Sequence, residues 1–292
     1  MKKFKVPGCL RSCFSLGCLG FGLLVILAIV LIWKKPLNTT IFNIREQNQD
    51  KSAKLLPDRP IVLKVVLLSD SEGVNDMVKR VLMYAKDENI DYVFHLGDLT
   101  HLGVPESFKE LKELFDSFEG LNIYTVPGDR DLWKSKGISS YETYFGNSYR
   151  YETINGVNFL FIDNANEYEG ISDKQWSFIE EHISTSDFIL IHNVLIPTGV
   201  PLVGNKIMGE YDRNVSEQRT KLLSMIRESN VKAVFSGDQH YYSETTDKEK
   251  PSLKQYVLGT VNVDRSMQAP SFAVLTIYED GSYSVEKIVL GN

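Results

Sequence analysis

The sequence predicts an α/β fold in which a buried sheet is covered by helices, and three observations carry that expectation. Ile61 to Leu68, IVLKVVLL, is an apolar run broken only by Lys64 and rich in Val and Ile. It lacks the alternation of a half-exposed strand, so it reads as a strand buried on both faces. The run ends at Asp70, Glu72 and Gly73, and the stretch from Val74 to Lys86 follows with apolar residues at 74, 77, 78, 81, 82 and 85, which is helical spacing. The same order, short apolar strand and then amphipathic helix, returns along the chain. Asp70 reads in two ways at this point, as a helix cap or as a site residue at a strand end, where open α/β sheets place their ligands.

The elements follow in chain order. Met1 to Arg11 is basic, and residues 1–15 form a basic N-terminal segment. Leu16 to Trp33 carries no charge and is followed by Lys34 and Lys35. At about 1.5 Å per residue this run is roughly 27 Å long, close to a bilayer core. It is long for a signal-peptide core and no small-residue cleavage site follows, so residues 16–33 are expected to be a retained transmembrane anchor. The basic flank places the N-terminus in the cytoplasm and the domain outside it, a single-pass arrangement that Lys34 and Lys35 oppose. Residues 34–58 are polar and aperiodic, with Pro36 and Pro57, and read as a juxtamembrane linker.

Residues 59–292 form the predicted domain. Tyr92 to Leu96 and Asn122 to Val126 are short strands, and Glu106 to Phe118 between them is helical. Tyr149 to Ile154 and Val157 to Ile162 flank Asn155-Gly156, a two-residue hairpin signal. Ser172 is a plausible cap for a helix ending at His182. Phe188 to Ile191 and Val231 to Phe235 are strands around a helix from Glu217 to Ser229. Tyr256 to Leu258, Phe272 to Ile277 and Tyr283 to Val289 close the chain as strands.

Composition narrows the function. The chain has 292 residues, 43% hydrophobic and 24% charged, which is ordinary for a globular protein. A net charge of −6 argues against nucleic acid as the main partner, because no basic excess is present to neutralise a phosphate backbone. The three cysteines, Cys9, Cys13 and Cys18, precede residue 20, so the domain has no disulfide, thiolate nucleophile or cysteine ligand. Nothing in the sequence points to a protein partner.

Five predicted strands end at carboxylates or histidines: Asp70 with Glu72, Asp98, Asp129 with Asp131, His192, and Asp238 with His240. In α/β folds such ends converge. Carboxylates and imidazoles gathered without cysteine suit oxygen- and nitrogen-bound divalent metals, and a two-metal site of this type clamps phosphate esters. His95, inside a strand, is expected to be packed. His101 is placed to line the site, and His182 to lie on the surface.

The order and spacing of these blocks resemble the calcineurin-like metallophosphoesterases. Asp70-Ser71-Glu72, Gly97-Asp98, Gly128-Asp129-Arg130-Asp131, His192 and Gly237-Asp238-Gln239-His240 stand where that family has Asp-x-His, Gly-Asp, Gly-Asn-His-Asp/Glu, a lone His and Gly-His-x-His. The resemblance covers roughly residues 60 to 290. It implies a four-layer α/β/β/α metallophosphoesterase-like sandwich and two divalent metals at the strand ends. Asp70, Asp98, His192 and His240 match the family's ligands, with Asp98 bridging. Glu72, Asp129 and Asp238 are ligand-capable replacements for His, Asn and His. Arg130 replaces the histidine thought to protonate the leaving group, and Asp131 keeps that residue's acidic partner. Decay would leave arbitrary residues at such positions, so a retuned metal site is expected.

Three added carboxylates make the site harder and more negative. Mn or Fe is therefore the expected metal, with Mg, Ca or Zn possible. Against two divalent ions the five carboxylates leave a formal charge of minus one, which Arg130 brings to neutral, less attractive to phosphate than the family's formal plus two. Arg130 can grip phosphate as a fork but cannot donate a proton near neutral pH. The expected activity is hydrolysis of a phosphate mono- or diester, on a phosphorylated small-molecule or lipid-linked substrate. The rival reading is a non-catalytic, membrane-tethered binding module.

Overall fold

The computed structural model describes residues 59–134, 137–266 and 268–291. The expected anchor at 16–33 and its linker lie outside the described residues. Among the described residues no helix is long and apolar enough to cross a membrane.

The order of elements is β1 (Ile61–Leu68), α1 (Asp76–Asp87), β2 (Tyr92–Leu96), α2 (Pro105–Asp116), β3 (Asn122–Val126), α3 (Asp129–Leu132), α4 (Ser139–Phe145), β4 (Arg150–Ile154) and β5 (Val157–Phe161). It continues with α5 (Asp173–His182), β6 (Phe188–Leu190), α6 (Arg213–Glu228), β7 (Ala233–Ser236), β8 (Ser243–Thr246), β9 (Lys254–Val257), β10 (Ser271–Tyr278) and β11 (Tyr283–Val289). Caps fix the helix starts. Asn75 accepts from Val78 N at the head of α1, so Asp70 is not that helix's cap. Ser172 caps α5 as expected. Asp212 accepts from Asn214 N and Val215 N, which starts α6 earlier than its apolar spacing alone suggests. At the hairpin, Asn155 and Gly156 both take positive φ, +50° and +80°, as a type I′ turn demands. β8, Ser-Glu-Thr-Thr, is a polar edge strand with no apolar residue to betray it.

Two sheets form, one ordered β11-β10-β1-β2-β3 and one ordered β4-β5-β6-β7-β9-β8. β1 pairs parallel with β2 and antiparallel with β10, so it is central and buried on both faces. Alternate β1 side chains serve two cores. Leu63, Val65 and Leu67 face Phe159, Phe161, Phe188 and Phe235 of the second sheet. Val66 and Leu68 pack outward on Val78, Leu82, Phe108 and Leu111 of α1 and α2. The outer face of the second sheet is covered by Trp176 and Ile179 of α5 and by Leu222 and Ile226 of α6. The result is four layers, helix, sheet, sheet, helix, as the motif resemblance implied. Phe94 of β2 centres the inner core, edge-on to Phe159 at 5.1 Å and Phe161 at 5.0 Å, contacts worth about 1 kcal/mol each beyond burial.

The two sheets bring their strand ends together at one edge. Two motif glycines explain how close that approach is. A Cβ at Gly97 (φ +89°) would lie 2.4 Å from His192 Nδ1, across the sheet-to-sheet gap. A Cβ at Gly128 would lie 2.2 Å from Asp98 N. Neither position admits a side chain without moving a ligand candidate.

Candidate metal centre

The loops after β1, β2, β3, β6 and β7 place all seven expected ligand residues around one edge of the sandwich. They form two lobes joined through Asp98, Asp70 and His192, whose own ligand atoms also lie within 4.8 Å of one another. In one, Glu72, Asp98 and His240 offer ligand atoms within 4.8 Å of one another, with His240 Nε2 3.4 Å from Asp70 Oδ1. In the other, Asp129, His192 and Asp238 do so, and His192 Nε2 lies 3.4 Å from Asp98 Oδ1, 3.3 Å from Asp129 Oδ1 and 3.9 Å from Asp238 Oδ1. The backbone is bent to achieve this. Asp70, Glu72, Asp98, Asp238 and His240 take left-handed φ values of +55°, +51°, +52°, +70° and +52°. For side-chain-bearing residues such values cost energy and gather at functional sites.

Both histidines are oriented for metal. His192 Nδ1 donates to Leu96 O at 2.7 Å, and His240 Nδ1 donates to Arg265 O at 3.2 Å. Tying Nδ1 to a carbonyl fixes the tautomer and leaves Nε2 as the free donor atom, aimed here at carboxylates in both cases. The donor set therefore fits two divalent cations, one held by Asp70, Glu72, Asp98 and His240 and the other by Asp98, Asp129, His192 and Asp238.

Electrostatics agrees with a site that wants positive charge. Burial raises the Asp98 carboxyl well above its usual range, and Asp129 and Asp70 add to that against the pull of His192. Burial likewise raises Asp238. For His192, burial opposes the charged ring, yet Asp98 and Asp129 outweigh it and hold its pKa well above the ordinary value.

Two cations that the motif spacing did not reveal also stand in the site. Lys206 Nζ pairs with Asp238 Oδ1. Arg265 Nη1 pairs with Glu72 Oε1 at 2.7 Å, while His101 Nδ1 meets Glu72 Oε2 at 2.9 Å. Lys206 lies in the loop before α6, and Arg265 ends a short 3₁₀ turn, Val263–Arg265. Neither belongs to a recognisable block. The one sequence signal was the charge deficit itself, which asks for cations from somewhere. With Lys206 and Arg265 beside Arg130, the loaded centre returns to a formal plus two.

Arg130 and Asp131 are placed differently from each other. Arg130 N donates to Asp98 Oδ1 at 2.9 Å, and its guanidinium lies 4.3 Å from the centre of the Trp133 ring. The side chain borders a cleft of ≈ 520 Å³ with Trp133, Tyr168, Lys206 and Tyr211. Asp131 is fully buried, and its carboxylate accepts from Leu99 N, Thr100 N, Thr100 Oγ1 and Gly128 N. It ties the loop after β2 to the loop after β3. His95 is packed as expected, and burial lowers its pKa to about 3, so the ring is neutral beside Ser71 Oγ at 2.8 Å. His182 stacks on Tyr151 at 4.5 Å.

Residues 63–280 match the family model for the calcineurin-like phosphoesterase superfamily domain, and the chain belongs to that family. Among solved structures it resembles a dimetal phosphatase from Danio rerio, with 13% identity, 79% of this chain and 100% of that chain covered, and a TM-score of 0.62. It also resembles GAP50, described as the anchor in the inner membrane complex of Plasmodium, with 15% identity, 79% and 89% covered, and a TM-score of 0.54. These likenesses concern the fold. No curated protein sequence matches the chain.

Proposed function

We propose that this protein is a membrane-anchored, metal-dependent phosphoesterase that hydrolyses a phosphate mono- or diester. One observation carries the reading: two carboxylate-imidazole lobes share Asp98, and each contains a histidine whose Nδ1 is tied to a backbone carbonyl. Divalent ions held there supply Lewis acidity and lower the pKa of water. The ligands are mostly carboxylates, so Mn or Fe is preferred over Zn.

The chain's own residues do the rest. Arg130 and Lys206 border the cleft and neutralise phosphate oxygens, Arg130 as a two-pronged donor. Trp133, Tyr168 and Tyr211, exposed by 61%, 68% and 58%, give the organic part of a small-molecule or lipid-linked ester an aromatic wall. No histidine stands at position 130, so good substrates have acidic leaving groups. Arg130→Ala is expected to raise KM about tenfold or more, Arg130→Lys to recover part of that, and Arg130→His to help alkyl more than aryl phosphates. Equal gains on both ester types would show that position 130 has no acid role to restore. Elemental analysis of purified protein beside a phosphatase and phosphodiesterase screen tests the reading as a whole.

A second reading has a specific observation behind it. Lys206 and Arg265 pair with carboxylates that the metals would use, and Arg130 replaces the acid histidine. A non-catalytic, membrane-tethered binding module accommodates all three, and the structurally similar GAP50 is described as an anchor. Absence of bound metal and of hydrolysis would select it. In both readings residues 16–33 hold the chain in the membrane with the domain outside the cytoplasm. Full-length protein is expected in the membrane fraction, with its domain removable by protease from sealed cells. Recovery wholly in the soluble fraction with an intact N-terminus would refute the anchor, and full protection would reverse the orientation.

A further inference from the structure

We propose that the rim of the metal centre is a membrane-docking surface: apolar side chains on the loops around the centre seat in the surface of a lipid bilayer, and the phosphate esters that reach the centre are those of lipids held there. The inference rests on the membrane-anchored phosphoesterase reading above and deepens it by naming where the substrate sits.

The first support is where the exposed apolar side chains lie. Among the described residues nine large hydrophobic side chains are exposed. Three stand on β1, α1 and β11, and the other six, Val74, Trp133, Tyr168, Leu202, Tyr211 and Val263, stand on the loops after β1, β3, β5, β6 and β9. β1, β2 and β3 run parallel in one sheet, and β5, β6, β7 and β9 run parallel in the other, so these loops leave the same edge of the sandwich as the ligand candidates. They surround both lobes. Trp133, Tyr168 and Tyr211 line the cleft beside Asp129 and Lys206. Val203, next to Leu202, lines a cavity of ≈ 210 Å³ with Asp98, Asp238 and His240. Val74 closely follows Glu72, and Val263 closely precedes Arg265, the partner of Glu72. Exposed apolar groups gathered at one opening mark an interaction surface, unlike single ones scattered over a soluble face.

The second support is that the most prominent of these projections is built. Leu202 is 95% exposed and takes a φ of +70°, a conformation that costs a leucine energy and that the surrounding loop imposes. Thr198 N donates to Gly204 O at 3.0 Å and Gly204 N to Val200 O at 2.8 Å, which closes the loop beneath the tip Val200-Pro201-Leu202-Val203. A Cβ at Gly204 would lie 2.5 Å from Val200 N, so the loop closes on glycine. Gln239 pins it to the centre, accepting from Thr198 Oγ1 and donating to Lys206 O, both at 2.9 Å. Residue types select the partner. Trp and Tyr favour the headgroup level of a bilayer, and a leucine tip reaches the acyl boundary. Trp133 carries the Arg130 guanidinium over its ring at 4.3 Å, which sets a phosphate-binding cation at that level. A second copy would bury the charged centre in a dry interface, whereas lipid headgroups keep it wet and bring the phosphate. The expected anchor at 16–33 holds the chain at a bilayer, and about 25 residues of linker, roughly 80 Å when extended, let the domain turn this edge toward it. Glu210 and Asp264 stand beside Tyr211 and Val263, so apolar insertion seats the rim, with no need of an anionic surface.

The test reads tryptophan emission. Full-length protein carrying Trp33→Phe is reconstituted in phosphatidylcholine vesicles, which leaves exposed Trp133 and buried Trp176 as its emitters. Lipids bearing a nitroxide near the headgroup are expected to quench most of the Trp133 emission, identified by its loss in Trp133→Phe. Leu202→Asp, alone and combined with Val263→Asp, changes exposed positions and keeps the tether, and is expected to recover that emission in part and then in full with thermal melting unchanged. No quenching in the parent, or equal quenching in the double variant, would overturn the inference and leave the anchored phosphoesterase reading standing, because the readout needs neither metal nor hydrolysis. Trp133 emission shielded from acrylamide, untouched by the nitroxide and dependent on protein density would place a second copy on the rim and overturn it as well. Protein that does not enter the vesicles would refute the anchor. The same lipids added to that protein from outside then decide the inference: quenching that the double variant abolishes supports it, and no quenching overturns it.

Discussion

Asp98→Asn is expected to strip the centre of metal and lower any hydrolysis by at least about a hundredfold while leaving the fold in place. Asp98 is where the two lobes meet, 3.4 Å from His192 Nε2 and with a carboxylate oxygen within 4.8 Å of ligand atoms of Glu72 and His240. An amide at this position keeps an oxygen for the bond from Arg130 N, so the loop after β3 has no reason to move. Stability is expected to hold or rise in the metal-free protein. The fold raises the Asp98 pKa above its ordinary 3.8 by burial, so the folded state binds the proton more tightly than the unfolded one. Stripped wild type therefore loses stability as pH climbs from that ordinary value through the raised folded value, and Asp98→Asn lacks this loss. Melting curves across pH with chelator, beside elemental analysis, read both effects. Unchanged metal content and unchanged activity in Asp98→Asn would end the shared-ligand description of this site.

Much of this centre was legible in the sequence because its blocks sit at strand ends. Strands such as Ile61–Leu68 and Tyr92–Leu96 announce themselves by apolar runs interrupted only by Lys64 and His95, and the first acid after each run is then placed by topology. Left-handed conformations at Asp70, Asp98 and Asp238 could not be foreseen, since each requires a specific neighbour to hold it: Gly97 O, for example, accepts from Asp70 N at 3.0 Å. Lys206 and Arg265 were hidden for a different reason. Long side chains reach a site from loops whose path is set by tertiary contacts such as Gln239 to Lys206 O, and no local pattern records that path. The polar edge strand Ser243–Thr246 escaped because edge pairing with Lys254–Val257 rests on backbone bonds and needs no apolar face.

Asp131→Ala is expected to destabilise the domain by on the order of 4 kcal/mol and to lower its melting temperature by roughly 10 °C. The carboxylate is fully buried and accepts from Leu99 N at 3.0 Å, Thr100 N at 2.8 Å, Thr100 Oγ1 at 3.0 Å and Gly128 N at 2.9 Å. Removing it leaves three buried backbone N–H groups without that acceptor, and each such loss costs about 1–3 kcal/mol before relaxation. Asp131→Asn keeps one acceptor oxygen but turns an amide toward N–H donors, so about half the loss is expected. Because Leu99 follows Asp98 and Gly128 precedes Asp129, loosening this knot also shifts two ligand candidates, and metal affinity is expected to fall in step with stability. That coupling separates two roles. If Asp131 acts through the loops, hydrolysis measured well below the melting point should track metal occupancy, and saturating metal should recover most of it in Asp131→Asn. If its carboxylate takes part in proton transfer or steers Arg130 on the phosphate, kcat stays low in Asp131→Asn at full metal occupancy with the melting temperature near wild type.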